Sequence, residues 1–156
     1  MATLRKQSHT FDAELQLKDA GLIAADENAC QVAAADSILD LGAGRCSGTL
    51  ILNVTACEVD SNNEVYHVCT MFSNSATHAS GVVAGPTFYL GDAVGIATLL
   101  NAPSVPTDTD NGIGRYEIPF TNVFNNTSYR YMLLSVEVSG TVATGVNFTA
   151  YVAKNS

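Results

Sequence analysis

The chain has 156 residues and a mass of 16.4 kDa, the size of one domain, enough to bury roughly 68–70% of the surface its unfolded form would expose. Apolar residues make up 47% and charged residues 14%, which excludes disorder over most of the length, because disorder needs few apolar groups and many charges. Seven Lys and Arg against fifteen Asp and Glu leave a net charge of −8, so phosphate is repelled and neither nucleic acid nor an anionic membrane is an expected partner.

No stretch approaches the ~20 apolar residues of a membrane helix, and no membrane span is expected. Arg5 and Lys6 have no apolar segment behind them, so a secretory signal is not expected either. Cys30, Cys46, Cys57 and Cys69 contain no C-x-x-C pair and read as buried thiols. His67 lies two residues before Cys69, too few ligands to hold zinc tetrahedrally. No metal or other cofactor is expected.

Residues 11–40 carry seven carboxylates against one base, Lys18, with many alanines and no sustained period. This reads as an extended N-terminal arm, residues 1–37, with short local structure; Leu15, Lys18 and Leu22 fall at helical spacing, with loop and edge strand as equal alternatives. From Ile38 the period becomes two, and residues 38–156 read as a β-domain. Residues 42–48 hold three glycines but lack the spacing and following helix of a dinucleotide loop, and read as a turn between strands.

In residues 48–59 Leu50, Leu52, Val54 and Ala56 alternate with Ile51, Asn53, Thr55 and Cys57, as in a half-buried strand whose leucine side faces inward. After the turn-rich Asp60-Ser61-Asn62-Asn63, residues 64–72 return as the second strand of a hairpin. Residues 73–86 read as loop, 96–100 as a short strand, and 102–114 as a loop containing Pro103 and Pro106. In that loop Asp108, Asp110 and Gly112 do not match an EF-hand, and Pro119 occupies the place of its closing Glu.

Residues 115–121 place Tyr116, Ile118 and Phe120 on one face; Pro119 lacks a ladder donor and puts this strand at an edge or bulge. Residues 129–138 form the strongest β segment, with Met132, Leu134, Val136 and Val138 on one face, and are expected to be central. Residues 139–145 read as a turn, and 146–153 as the returning strand of an antiparallel pair, with Phe148, Ala150 and Val152 on one face. Six or more strands without a long helix predict an all-β jelly roll or β-sandwich with an extended N-terminal arm.

Chemistry-bearing patterns are sparse. His9, His67 and His78 form no His-x-His pair, and no nucleophile and base stand at an informative spacing, so no enzyme is expected. The acceptor patterns at Asn53, Asn125, Asn126 and Asn147 read as chance matches in an Asn/Thr-rich chain. Tyr89, Tyr116 and Tyr129 form either a sugar-stacking platform or the ends of a core; burial of such rings favours the core.

The segment Tyr129-Arg130-Tyr131-Met132 through Val138-Ser139-Gly140-Thr141-Val142-Ala143-Thr144-Gly145 to Thr149-Ala150-Tyr151-Val152 resembles the C-terminal hairpin of the jelly-roll capsid cement (decoration) proteins of tailed bacteriophages. Phe11-Asp12-Ala13-Glu14-Leu15-Gln16-Leu17 and Ile38-Leu39-Asp40-Leu41-Gly42 are similar to that family's opening segment and first strand. The likeness spans residues 11–152; residues 1–10 precede it. It implies a non-enzymatic structural protein on the outer surface of the capsid in the virion, made in the host cytoplasm. Such a protein self-associates as a dimer or trimer, binds the major capsid protein, links neighbouring capsomers and stabilises the head.

Under that resemblance the arm lies along the shell, with Leu4, Arg5, Lys6, Phe11, Leu15 and Leu17 as capsid-contact candidates, and the shell-facing surface is expected to be the less acidic one. The alternative is a glycan-binding jelly-roll module of a phage surface fibre or tail.

Overall fold

The computed structural model describes residues 12–99 and 112–154. Two antiparallel sheets, of five and four strands among the described residues, face each other across one apolar core. The strands that build them are β1 (Gln16–Lys18), β2 (Leu39–Asp40), β3 (Ser47–Cys57), β4 (Val65–Ser73), β5 (Val83–Gly91), β6 (Gly114–Thr121), β7 (Tyr131–Ser139) and β8 (Val146–Lys154). The first sheet has the order β1-β8-β3-β6, and the short strand Leu22–Ile23 pairs with β8 just beyond β1; the second has the order β2-β7-β4-β5. The chain is an all-β sandwich.

The period-two segments land where their alternation places them. Leu50, Leu52 and Val54 of β3, Tyr116, Ile118 and Phe120 of β6, Met132, Leu134 and Val136 of β7, and Phe148, Ala150 and Val152 of β8 all point between the sheets. Each large side chain removed from water there contributes roughly 1.5–3 kcal/mol. Strand β7 is internal and β6 is an edge, as Pro119 requires.

Four expectations are corrected. The hairpin expected between residues 48–59 and 64–72 is absent, because β3 and β4 belong to opposite sheets; so do β7 and β8. Residues 58–64 and 140–145 are therefore arches that span the roughly 10 Å between sheets rather than tight turns. Residues 73–86 are not all loop: β5 begins at Val83, and its Gly85-Pro86 pair sits at a bulge opposite Cys69–Met71. A Cβ on Gly85 would run into the Phe72 ring, and the Thr70 hydroxyl donates to the Pro86 carbonyl at 2.7 Å. The short strand expected at 96–100 is instead α1 (Ala93–Leu99). Asp92 caps it, accepting the Gly95 N–H at 2.9 Å.

The described part of the expected arm, residues 12–37, lies on the sandwich and is knitted into it. Leu17 is fully buried and β1 pairs with β8. Residues 26–30 bond to β7: the Glu27 and Val136 N–H groups each donate to the other's carbonyl, and the Cys30 N–H donates to the Leu134 carbonyl. Between these contacts and β2, the paired segments Gln31–Val32 and Ala35–Asp36 turn outward. They fasten back onto β1 through Asp19 N–H to the Gln31 carbonyl and the Ser37 hydroxyl to the Gln16 carbonyl. This little hairpin closes the seam between the sheets on the β1 and β2 side, so a boundary at residue 37 has no structural counterpart.

Candidate functional site

Of the capsid-contact candidates, Leu4, Arg5, Lys6 and Phe11 lie outside the described residues. Leu15 is half-buried against the core and Leu17 is wholly within it. Leu17 has no surface to offer, which corrects its assignment as a surface contact, whereas Leu15 keeps part of its surface exposed. Beside them Lys18 is buried, its Nζ donating to the carbonyls of Asp19, Gly21 and Phe148 at 2.9, 2.8 and 3.0 Å. Burial lowers its pKa, while Cys30, Glu27 and Asp19 oppose that shift.

The outer face of the second sheet brings together His67, Cys69, Tyr89 and Glu137 from three adjacent strands. His67 stacks on Tyr89 with ring centroids 4.3 Å apart, and its Nδ1 lies 3.5 Å from a Glu137 carboxylate oxygen. Cys69 Sγ is 3.4 Å from Nδ1 and 3.5 Å from Nε2. That near-equality places sulfur over the ring rather than in line with a nitrogen lone pair, so His67 is badly aligned to take the thiol proton. Burial, then Glu137, raises the Cys69 pKa against a Ser135 hydrogen bond. The thiol stays protonated, the opposite of an activated nucleophile. Cys30 and Cys69 are buried as expected, whereas Cys46 and Cys57 are half-buried, and none of the four is in a disulfide.

The two ends of the sandwich differ in chemistry. At the first end lie the described connections 24–27, 58–64, 92–99 with 112–113, and 140–145, while residues 28–38 run along the seam; at the second end lie 41–46, 74–82 and 122–130. The described first-end connections carry Asp26, Glu27, Glu58, Asp60, Glu64 and Asp92 and no Lys or Arg, while Asp19 and Asp36 stand along the seam. Several of these carboxylates replace the strand partners that an arch lacks. Glu58 accepts the N–H groups of Ala143, Thr144 and Gly145, and Glu64 those of Ser61 and Asn63. For Glu58, chiefly the Gly145 N–H holds its pKa down. For Glu64, burial pushes upward, but the N–H groups of Ser61, Glu64 and Asn63 outweigh it and the pKa is lowered.

The second end is nearly balanced. Its connections contain Arg45 and Arg130 and no carboxylate; Asp12, Glu14, Asp40 and Lys154 stand beside them on the flanking elements. Arg130 grips Asp40 with two bonds of 2.7 Å. Fully buried Asn122 ties two of the connections together: its Nδ2 donates to the Gly44 and Tyr129 carbonyls, and its Oδ1 accepts the Cys46 N–H. The pair Val123–Phe124 and Thr127–Ser128 is closed by Asn125 and Asn126, both at positive φ (47° and 62°), as a primed turn requires. Asn126 Oδ1 accepts from Arg45 Nη2 at 3.0 Å.

Two shallow depressions adjoin at this end. One, about 350 Å³, is lined by Pro86, Pro119, Phe120, Thr121 and Phe124; the other, about 300 Å³, by Arg45, Cys46, Ser47, Thr121 and Val123. The sequence reading passed over Arg45 and Phe124. The signal that pointed to them is Asn125-Asn126, a dipeptide suited to a primed turn, which holds both residues in place.

Tyr116 and Tyr129 pack against the core and Tyr89 against His67, so these rings form no shared platform. Among the described residues no helix is long and apolar enough to cross a membrane, and no three His, Cys, Asp or Glu side chains cluster to hold a metal. No family model, curated protein or solved structure matches this chain.

Proposed function

We propose that this protein is a non-enzymatic capsid cement protein, a jelly roll that decorates the outer surface of a major capsid protein shell, joins neighbouring capsomers and acts as a homo-oligomer. The observation that carries the reading is the polarity of the body. Six carboxylates crowd the described connections of one end while charges balance at the other, so a lattice component has one face suited to close packing and one that keeps particles apart. The chain also enters the described body at the balanced end, because Asp12 precedes β1 there.

The strand order supports the jelly-roll part of the reading. With Leu22–Ile23 counted as a continuation of β1 along β8, eight strands run 1-8-3-6 in one sheet and 2-7-4-5 in the other. Successive strands change sheet at every step except β4 to β5, which is the connectivity of two interleaved Greek keys. The test is to mix the purified protein with undecorated capsids and count copies per particle. Hundreds of copies per particle, with the balanced end against the shell in a reconstruction, is the expected result; no binding, or a handful of copies, overturns it. Deletion of residues 1–10 is expected to weaken decoration without unfolding the sandwich.

A further inference from the structure

We propose that the second end carries a composite docking site for a polypeptide segment in which an apolar side chain lies within two residues of a carboxylate. The apolar group seats between Pro86, Pro119, Phe120 and Phe124, and the carboxylate pairs with Arg45. Under the cement reading, on which this assignment rests, the segment is a surface loop of the shell protein.

The sandwich has two seams and treats them differently. The hairpin of Gln31–Val32 and Ala35–Asp36 covers the seam beside β1 and β2. On the opposite side, edge strands β5 and β6 leave the 350 Å³ depression open. Its wall is almost wholly apolar, so it offers no partners for the hydroxyls of a sugar, each of which would be desolvated at a cost. Pro86 and Pro119 each remove a backbone donor from their edge strand, so recognition by added strand pairing is discouraged as well. What fits is one inserted apolar side chain.

Arg45 supplies the second half of the specificity. It is exposed, and among the described residues its bond is to the neutral oxygen of Asn126, whereas Arg115 and Arg130 each have a carboxylate partner. On a chain of net charge −8 this guanidinium has no carboxylate partner among the described residues and is oriented by the 123–128 turn, beside a slot whose wall includes Phe124 from the same turn. A planar guanidinium held in this way is suited to take a carboxylate through two parallel bonds. Thr121 borders both depressions, so one ligand can span them.

The experiment selects a library of random nine-residue peptides against the full chain and, in parallel, measures binding to undecorated capsids. Enriched peptides are expected to carry Phe, Leu or Ile within two positions of Asp or Glu. Arg45→Glu and the plugging variant Thr121→Phe are expected to cut their binding at least tenfold with unchanged melting, and Arg115→Glu less than twofold. No enrichment, enrichment without a carboxylate, or equal binding by the variants overturns the site. A glycan-array signal or a self-association abolished by Arg45→Glu overturns the occupant. If the variants lose peptides yet decorate capsids normally, the shell contact lies elsewhere and the assignment to the shell fails while the cement reading stands. If peptide recognition behaves as expected but no capsid binds, the site stands and the cement reading fails.

Discussion

Asn63 and Thr141 bond to each other twice: Asn63 Nδ2 donates to the Thr141 hydroxyl at 3.2 Å, and Asn63 Oδ1 accepts the Thr141 N–H at 2.9 Å. The two residues belong to the two arches that carry the chain between sheets at the acidic end. Neighbouring Gly140 packs so closely that a Cβ there would overlap the Asn63 carbonyl, and its φ of 91° already disfavours any other residue. Gly140→Ala is expected to destabilise the fold by about 1–3 kcal/mol or more. Asn63→Ala is expected to cost about 1 kcal/mol. Urea denaturation of both singles and the double variant checks this; an unchanged midpoint for Gly140→Ala would falsify the close clasp.

Asp40 titrates at about 2, chiefly because of its hydrogen bonds from Arg130, with help from the Gly42 N–H. A carboxyl lowered on folding contributes stability that is present above its unfolded pKa, roughly 3.9, and lost as pH falls through about 2. Arg130→Gln is expected to move Asp40 back toward its ordinary range and to flatten the loss of stability between those limits. The carboxyl carbon of Asp40, followed by NMR against pH, reads this directly. An Asp40 titration that does not move would rule out the pair as the cause.

Lys18→Met would replace the ammonium with an apolar end of similar length and leave the carbonyls of Asp19, Gly21 and Phe148 without their donor. The expected loss is about 1–3 kcal/mol, because the buried Phe148 carbonyl would be left unpaired while the part-buried carbonyls of Asp19 and Gly21 can turn to water. The unfolding midpoint in denaturant measures it, and a variant as stable as the parent would show that the cage is dispensable.

Thiol reactivity should divide the cysteines two and two. Burial pushes the Cys30 thiol up to about 12 and, with Glu137, raises Cys69; Cys46 and Cys57 are half-buried. A disulfide reagent at neutral pH is expected to label Cys46 and Cys57 in the native protein and all four in denaturant. Rapid native labelling of Cys30 would contradict its place in the core.

Much of the sandwich was legible because alternation reports which face of a strand is apolar. Met132, Leu134 and Val136 sort inward whatever strand lies beside them. The same signal is silent about neighbours, which is why β3 and β4, and β7 and β8, looked like hairpins. The deciding side chains were Glu58 and Glu64, which read as strand ends, and Asn63, which read as ordinary turn composition; all three instead cap the backbone of arches. Strand β5 was hidden by Gly85 and Pro86, breakers that an edge strand tolerates at a bulge. Helix α1 was hidden because a short apolar run has no period of its own, although Asp92 three residues before Gly95 was its capping signal.

Composition and period two by themselves determined an acidic, charge-poor, all-β body, since both depend only on residue type and spacing along the chain. The tertiary structure alone decided that residues 12–37 join a sheet and close a seam instead of forming an arm, that the acids gather at one end, and that Arg45 and Phe124 line adjoining depressions. Those facts depend on which distant strands pair, and pairing is chosen by the packing of the two inner faces as a whole rather than by any local stretch of sequence.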